Sequence, residues 1–273
     1  LMNFIYTPAE LSDWAWRVPF VIGGVFGLIS IYLRRFLQET PVFKKMRESK
    51  ALAKFPLEEV VKTSRFGIWI SMFITWVLTG CIVVFILLMP GFVGGVLGFS
   101  PFETTYFQMG GLVCIVSSCW LTGRLADKHN PSTLCILFSA GFAVSSVAFF
   151  SLLYTAAPVV SEVVLAYFAT CFFAGIMNFC PIFMCDVFPA RIRFSGISFA
   201  YNIAYALSGA FTPQLSFALH AYAKTHPDTL GAMGLSAYIV FLALVSIGTA
   251  LAMRRVYKNG GAAVSQMEFR PAP

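Results

Sequence analysis

Seven long apolar runs, each bounded by charged or turn-forming residues, dominate this sequence. They are Val18–Leu33, Phe66–Met89, Thr105–Leu121, Thr133–Tyr154, Val163–Val187, Gly196–Ala221 and Leu235–Met253. A helix needs about 20 mostly apolar residues to cross the hydrocarbon core of a bilayer, and the runs have that order of length. The first is shortest, but Arg17 and Arg34 flank it, where long side chains can snorkel to the interface. A water-soluble fold fails on composition. The chain is 58% hydrophobic and only 11% charged, less than half the roughly 25% charge of a soluble domain. A fold that buried all 29 Phe together with the other apolar residues would have little left for an aqueous exterior. In a bilayer, lipid is the solvent of the outer face and each helix satisfies its own backbone. The expected fold class is an all-α membrane protein with about seven transmembrane helices, and the bilayer is its first partner.

Turn residues fill the gaps between runs, at Pro90-Gly91, Asn130-Pro131, Ala157-Pro158 and along 227–234. The basic residues then sort by side. Of nineteen Lys and Arg, seventeen lie in 34–65, 122–132, 188–195 and 254–273, and only Arg17 and Lys224 lie opposite. The positive-inside rule puts the first group in the cytoplasm, with the N-terminus outside and the C-terminus inside. The net charge of +7 therefore reads as topology, and no nucleic-acid partner is expected. The layout that follows is an outer loop and first span over 1–33, a central cytoplasmic loop over 34–65, a six-helix bundle over 66–253 and a cytoplasmic tail over 254–273. Within the loop, Pro56 to Lys62 reads either as a short helix at the membrane surface or as a solvated linker. The seven cysteines lie inside apolar runs without metal-ligand or C-x-x-C spacing, as small apolar thiols do.

Three stretches carry more specific information. The first runs from Trp14-Ala15-Trp16-Arg17-Val18-Pro19 to Glu39-Thr40-Pro41 after the first span. The second is Asp186-Val187-Phe188-Pro189-Ala190-Arg191-Ile192-Arg193-Phe194-Ser195-Gly196. Together, and in this order, they resemble the metabolite:proton symporter branch of the major facilitator superfamily, over about Trp14 to Arg255. The resemblance implies that the seven spans are helices six to twelve, with 34–65 as the loop between bundles. The third stretch, Gly123-Arg124-Leu125-Ala126-Asp127-Lys128, resembles the first half of that superfamily's cytoplasmic loop motif. Asn130, Pro131 and Ser132 stand where its second half has Gly and two basic residues.

The candidate functional residues fall into two sets. Gly123, Asp127, Lys128, Asp186, Arg191 and Arg193 share the charged side. Carboxylates and guanidiniums there can pair across helices and part when helices separate, a latch for rocking alternating access. They can equally be headgroup-level topology determinants that contribute little individually. Deeper lie Thr75, Thr79, Asn178, Tyr201, Asn202, Tyr205 and Thr212, with Ser208 and Gln214 nearby. These can line a substrate path, helped by a carbonyl freed at Pro181, or serve as interhelical hydrogen-bond glue. Gly23/Gly27 and Gly94/Gly98 have small-xxx-small spacing, suited to close packing or turns.

No charged residue or histidine lies near the middle of any run. Asp186 is about 16 Å along its helix from the centre of its span. A membrane proton relay normally shows intramembrane carboxylates or histidines. The titrating residue of a proton-coupled parent is therefore expected in helices one to five, which are missing here. No zinc signature, phosphate-cradling loop or nucleophile elbow occurs, so neither an enzyme, a metal site nor a cofactor is expected. The chain opens on Leu1 without the pattern of a signal peptide, which reads as a truncation point. The expected protein is the C-terminal part of a proton-coupled carrier of small organic ions or zwitterions in a bacterial inner membrane, inactive alone. The alternative is a seven-helix receptor or photoreceptor. It is opposed by the absence of a retinal-binding lysine in the last span and by the length of the first cytoplasmic loop.

Overall fold

The computed structural model describes residues 5–36, 44, 47, 48, 55–226 and 229–258, and among these every regular element is helical. Nearly half of the expected central loop, including Pro41, the tail beyond Lys258, and Pro227 lie outside the described residues. The chain divides into two compact units, Leu1–Ala51 and Leu52–Pro273.

The first unit starts with a capping box. The Thr7 hydroxyl accepts from the Glu10 backbone and Glu10 accepts from the Thr7 backbone, opening helix α1, Pro8–Asp13. The backbone and then the hydroxyl of Thr7 hold the Glu10 carboxyl below its usual range. A 3-10 turn, Ala15–Arg17, leads into α2, Val18–Arg34, and the Arg17 guanidinium lies 4.5 Å over the Trp16 ring.

The second unit is the bundle. Its helices are α3 (Pro56–Thr63), α4 (Arg65–Cys81), α5 (Met89–Leu97), α6 (Pro101–Ala126), α7 (Pro131–Leu153), α8 (Val160–Phe173), α9 (Phe179–Val187), α10 (Arg193–Thr225) and α11 (Thr229–Lys258). Six of the seven expected runs fall in helices long and apolar enough to cross a membrane. The seventh, Gly196–Ala221, is helical within α10, which at 33 residues is about 50 Å long. That helix carries Ser198, Asn202, Ser208, Thr212, Gln214 and His220, and is correspondingly less apolar than the others. Of the two readings open for Pro56 to Lys62, the helix is the one present, as α3.

One expected boundary is wrong. Pro90-Gly91 is not a turn: α4 continues through a π-helical stretch, Ile82–Leu88, into α5, and the chain turns only at Gly98. Gly98 has φ of +70°, a left-handed conformation that costs glycine little. A proline inside a helix removes one backbone donor and leaves carbonyls one turn earlier without a partner. Here the amide of Gln108 donates to the Ile86 carbonyl at 2.7 Å, and the Tyr167 hydroxyl donates to the Phe85 carbonyl at 2.9 Å. Both donors come from neighbouring helices, which is how a membrane helix tolerates an internal proline. Similarly, α8 and α9 are one run joined by a 3-10 segment, Ala174–Asn178, just before Pro181.

Packing is dense and aromatic. Helix α7 lies along α11, α10 along α4, and α8 beside α6 and α7. Phe85, Phe142, Phe149, Phe150 and Tyr167 form a buried cluster, with Phe85 edge-on to Phe142 at 5.5 Å and Phe107 stacked on Tyr167 at 4.1 Å. Between helices, the Ser139 hydroxyl donates to that of Ser246 at 2.8 Å. Such contacts carry the association, because lipid tails remove the hydrophobic drive between apolar helices.

We expect Gln108→Leu and Tyr167→Phe each to cost about 1 kcal/mol, since each leaves a carbonyl without its donor. Thermal unfolding in detergent measures this. Unchanged stability in both variants would mean that these carbonyls are satisfied in another way.

Candidate functional site

The charged end of the bundle is organised by one aromatic ring. Helix α9 stops at Val187, Phe188 takes an extended conformation, and the chain turns through Pro189 into α10 at Arg193. The Phe188 ring is 1% exposed. It is wedged between Gly67 on α4 and Gly196 on α10, where an added Cβ would approach it to 2.8 and 2.6 Å. Any larger residue at either position would displace the ring. Val60 of α3, fully buried, completes the contact with Phe188 and Ile192.

Polar groups tie the same elements together. Arg191 forms an ion pair with Glu59 of α3, and Arg193 donates through Nε to the Phe188 carbonyl at 3.1 Å. Asp186 accepts a hydrogen bond from Tyr257 of α11 at 2.7 Å. The six residues of the expected latch therefore lie at helix ends, but Asp186 pairs with neither arginine. Asp127 and Lys128, at the C-terminal end of α6, are exposed and make no ion pair among the described residues. Gly123 sits where α6 meets the 3-10 segment, and an added Cβ would lie 3.3 Å from the Asn178 amide. The Glu59 and Arg191 side chains are 23% and 38% exposed, so their pair is worth at most about 1 kcal/mol.

The deeper set divides in two. Thr75, Thr79 and Thr212 are completely buried. Thr79 donates to the Thr75 carbonyl at 2.9 Å, and the Thr75 hydroxyl lies 3.8 Å from the Cys180 sulfur. Thr212 shares a 2.7 Å hydrogen bond with Tyr238, which in turn accepts from the Trp76 indole at 3.2 Å, so α10, α11 and α4 meet there. Asn178 donates to the Cys119 carbonyl and the Thr122 hydroxyl of α6, at 3.1 and 3.2 Å. These four side chains act between or within helices of the bundle. Asn202 and Tyr205 lie on the open side of α10, and Tyr201 is half-buried against the core. Tyr201 stacks on Tyr205 at 5.5 Å, Tyr205 is 40% exposed, and Asn202 donates to the Ser198 carbonyl at 2.7 Å. The faces separate because Gly196, Ala200, Ala204, Ser208, Thr212 and Ser216, spaced by four, turn toward the bundle.

Glu59, Tyr257, Tyr238, Trp76 and Gln108 were not singled out from the sequence. Gln108 had a signal of its own, as an amide inside an apolar run beside a proline-bearing helix. Glu59 lies in the stretch that the sequence left open between a short helix and a linker. The others are aromatic residues among many, and only their tertiary partners distinguish them.

If the Glu59–Arg191 pair holds α3 down, a cysteine introduced at the buried position Val60 should react slowly with a soluble thiol reagent. In a background lacking the native cysteines, Glu59→Gln or Arg191→Gln should speed that reaction up to about fivefold, and the double variant no further. Equal rates in all four proteins would show that the apolar contact alone docks the helix.

The comparisons with known proteins agree with this architecture. The chain is 28% identical over 249 residues to an inner membrane metabolite transport protein of Escherichia coli K12, covering 86% of this chain and 53% of that protein. It is 26% identical over 228 residues to the citrate-proton symporter of Klebsiella pneumoniae, covering 81% and 49%. A protein of Staphylococcus haemolyticus provisionally named a proline/betaine transporter is 23% identical over 216 residues, covering 78% and 45%. The chain thus spans about half the length of the curated relatives it matches. No solved structure matches it significantly. The family model for the Major Facilitator Superfamily matches residues 5–213, well over half of the chain, and the chain therefore belongs to the Major Facilitator Superfamily.

Proposed function

We propose that this chain forms the second bundle, with helix six and the central loop, of a proton-coupled symporter for small organic ions or zwitterions. The observation that carries the reading is similarity along most of the chain to a metabolite transport protein and a citrate-proton symporter. The substrate class also suits the provisionally named proline/betaine transporter. In such carriers the solute sits between two bundles, and access alternates as one rocks against the other. Tyr201, Asn202 and Tyr205 on α10 are the residues that would meet solute or the partner bundle. Thr75, Thr79, Asn178 and Thr212 hold the helices that carry them.

The Phe188 wedge gives the latch a physical basis. Asp186, Arg191 and Arg193 lie on either side of the turn between α9 and α10. Through Tyr257, Glu59 and the Phe188 carbonyl they connect that turn to α11 and α3. Asp127 and Lys128, exposed at the same end as Gly123, are available to a second bundle. No charged residue lies mid-run in this chain, so the proton-coupling group belongs to the other bundle, and this chain alone inserts but does not transport.

Two experiments test the reading. With native cysteines replaced, Lys45→Cys, Lys128→Cys, Arg191→Cys and Lys258→Cys should label only from the cytoplasmic side and His226→Cys only from outside. Outside labelling at position 191 would remove the proposed orientation. For transport, vesicles containing only this chain should show no proton-driven uptake of organic acids or betaines. Co-expression with the N-terminal half of a relative such as the citrate-proton symporter supplies the positive arm. Uncoupler-sensitive uptake by this chain alone would overturn the one-bundle proposal.

A further inference from the structure

One feature of the bundle surface serves neither the Phe188 turn nor the polar face of α10. Between α4 and α11 runs a groove of about 380 Å³, lined chiefly by Phe66, Trp69, Phe73, Val245, Gly248 and Ala252. Trp69 stacks on Phe73 at 5.8 Å and the two form one wall. Gly248 forms the floor, with no atom within 4 Å of where its Cβ would stand. The one hydroxyl in the lining, that of Thr249, is spent on the Val245 carbonyl at 2.8 Å. A second cavity, of about 250 Å³, shares Gly248 and Ala252 and extends the groove to Arg255. Arg65 heads α4 immediately before Phe66, so the same end of the groove carries two exposed arginines.

We propose that this groove is a binding site for an anionic phospholipid, with an acyl chain between α4 and α11 and the phosphate at Arg255, assisted by Arg65. The chemistry selects the occupant. Apart from the Trp69 indole the lining is almost wholly apolar, so a small organic ion would lose most of its hydration without compensation. An acyl chain loses nothing, because it passes from one apolar surface to another. That also means the groove alone cannot select one lipid over the next, since apolar contacts within a bilayer carry little net drive. Selectivity comes from the arginines. Basic groups at the end of a cleft between membrane helices attract anionic headgroups, at about fivefold in affinity per side chain. The site needs only that α4 and α11 span the membrane, and is independent of any transported solute.

The test uses the full chain, purified in detergent and stripped of lipid. It is titrated with phosphatidylglycerol or phosphatidylcholine of identical acyl chains, and bound lipid is counted by native mass spectrometry. Phosphatidylglycerol should be retained preferentially. Arg255→Gln, at an exposed position that does not enter the core, should weaken it about fivefold and leave phosphatidylcholine unchanged. Gly248→Phe should reduce retention of both lipids while circular dichroism shows the helices intact. Equal retention of the two lipids overturns the proposal, as does phosphatidylglycerol binding that ignores Arg255→Gln. Selectivity that survives a folded Gly248→Phe variant would place the lipid elsewhere. Displacement by inorganic phosphate at equal concentration would assign the arginine to a soluble anion. A lipid-free dimer would assign the groove to a second copy of the chain. Each of these three also overturns it.

Discussion

In hydrocarbon a backbone carbonyl cannot turn to water, and the bundle is arranged around that constraint. Along most of its helices each segment satisfies itself. The exceptions are the places where segments become dependent on one another. Pro90 leaves the Phe85 and Ile86 carbonyls to Tyr167 and Gln108, so the middle of the α4–α5 run is held by α6 and α8. The amide of Asn178 takes the Cys119 carbonyl in the opposite direction, from the α8–α9 run to α6. A break in one helix thus becomes a specific contact with another, where apolar side chains by themselves would pack in many ways.

The same logic operates at the charged end with different materials. Phe188 fits only because positions 67 and 196 are glycine, and the turn it anchors carries both arginines of the Phe-Pro-x-Arg-x-Arg stretch. Arg191 reaches α3, Arg193 reaches back to the Phe188 carbonyl, and Asp186 is held by α11. A movement of α9 relative to α10 would strain three attachments at once. The half-exposed Arg191–Glu59 pair is weak by itself.

Much of this was legible beforehand because the solvent imposes it residue by residue. Apolar run length and the lack of mid-run charge determined that the chain is helical and membrane-spanning. The Trp-Arg and Phe-Pro-Arg-Arg stretches pointed to the superfamily. The error at Pro90-Gly91 has a clear cause. Proline and glycine report that a local helix is weakened, but not whether a neighbour supplies the missing donor.

What only the tertiary structure decided is partnership. Asp186, Arg191 and Arg193 are close in sequence and look like one charge cluster, yet their partners are Tyr257, Glu59 and a backbone carbonyl. Thr212 and Tyr205 lie two turns apart on nearly the same face of one helix, yet one enters a triad with Tyr238 and Trp76 and the other is 40% exposed. By itself the sequence determined which stretches are helical and apolar enough for a bilayer, because those depend on near neighbours in the chain. Which helix each side chain touches depends on distances of a few ångströms between segments up to 162 residues apart, and those are set only when the helices pack.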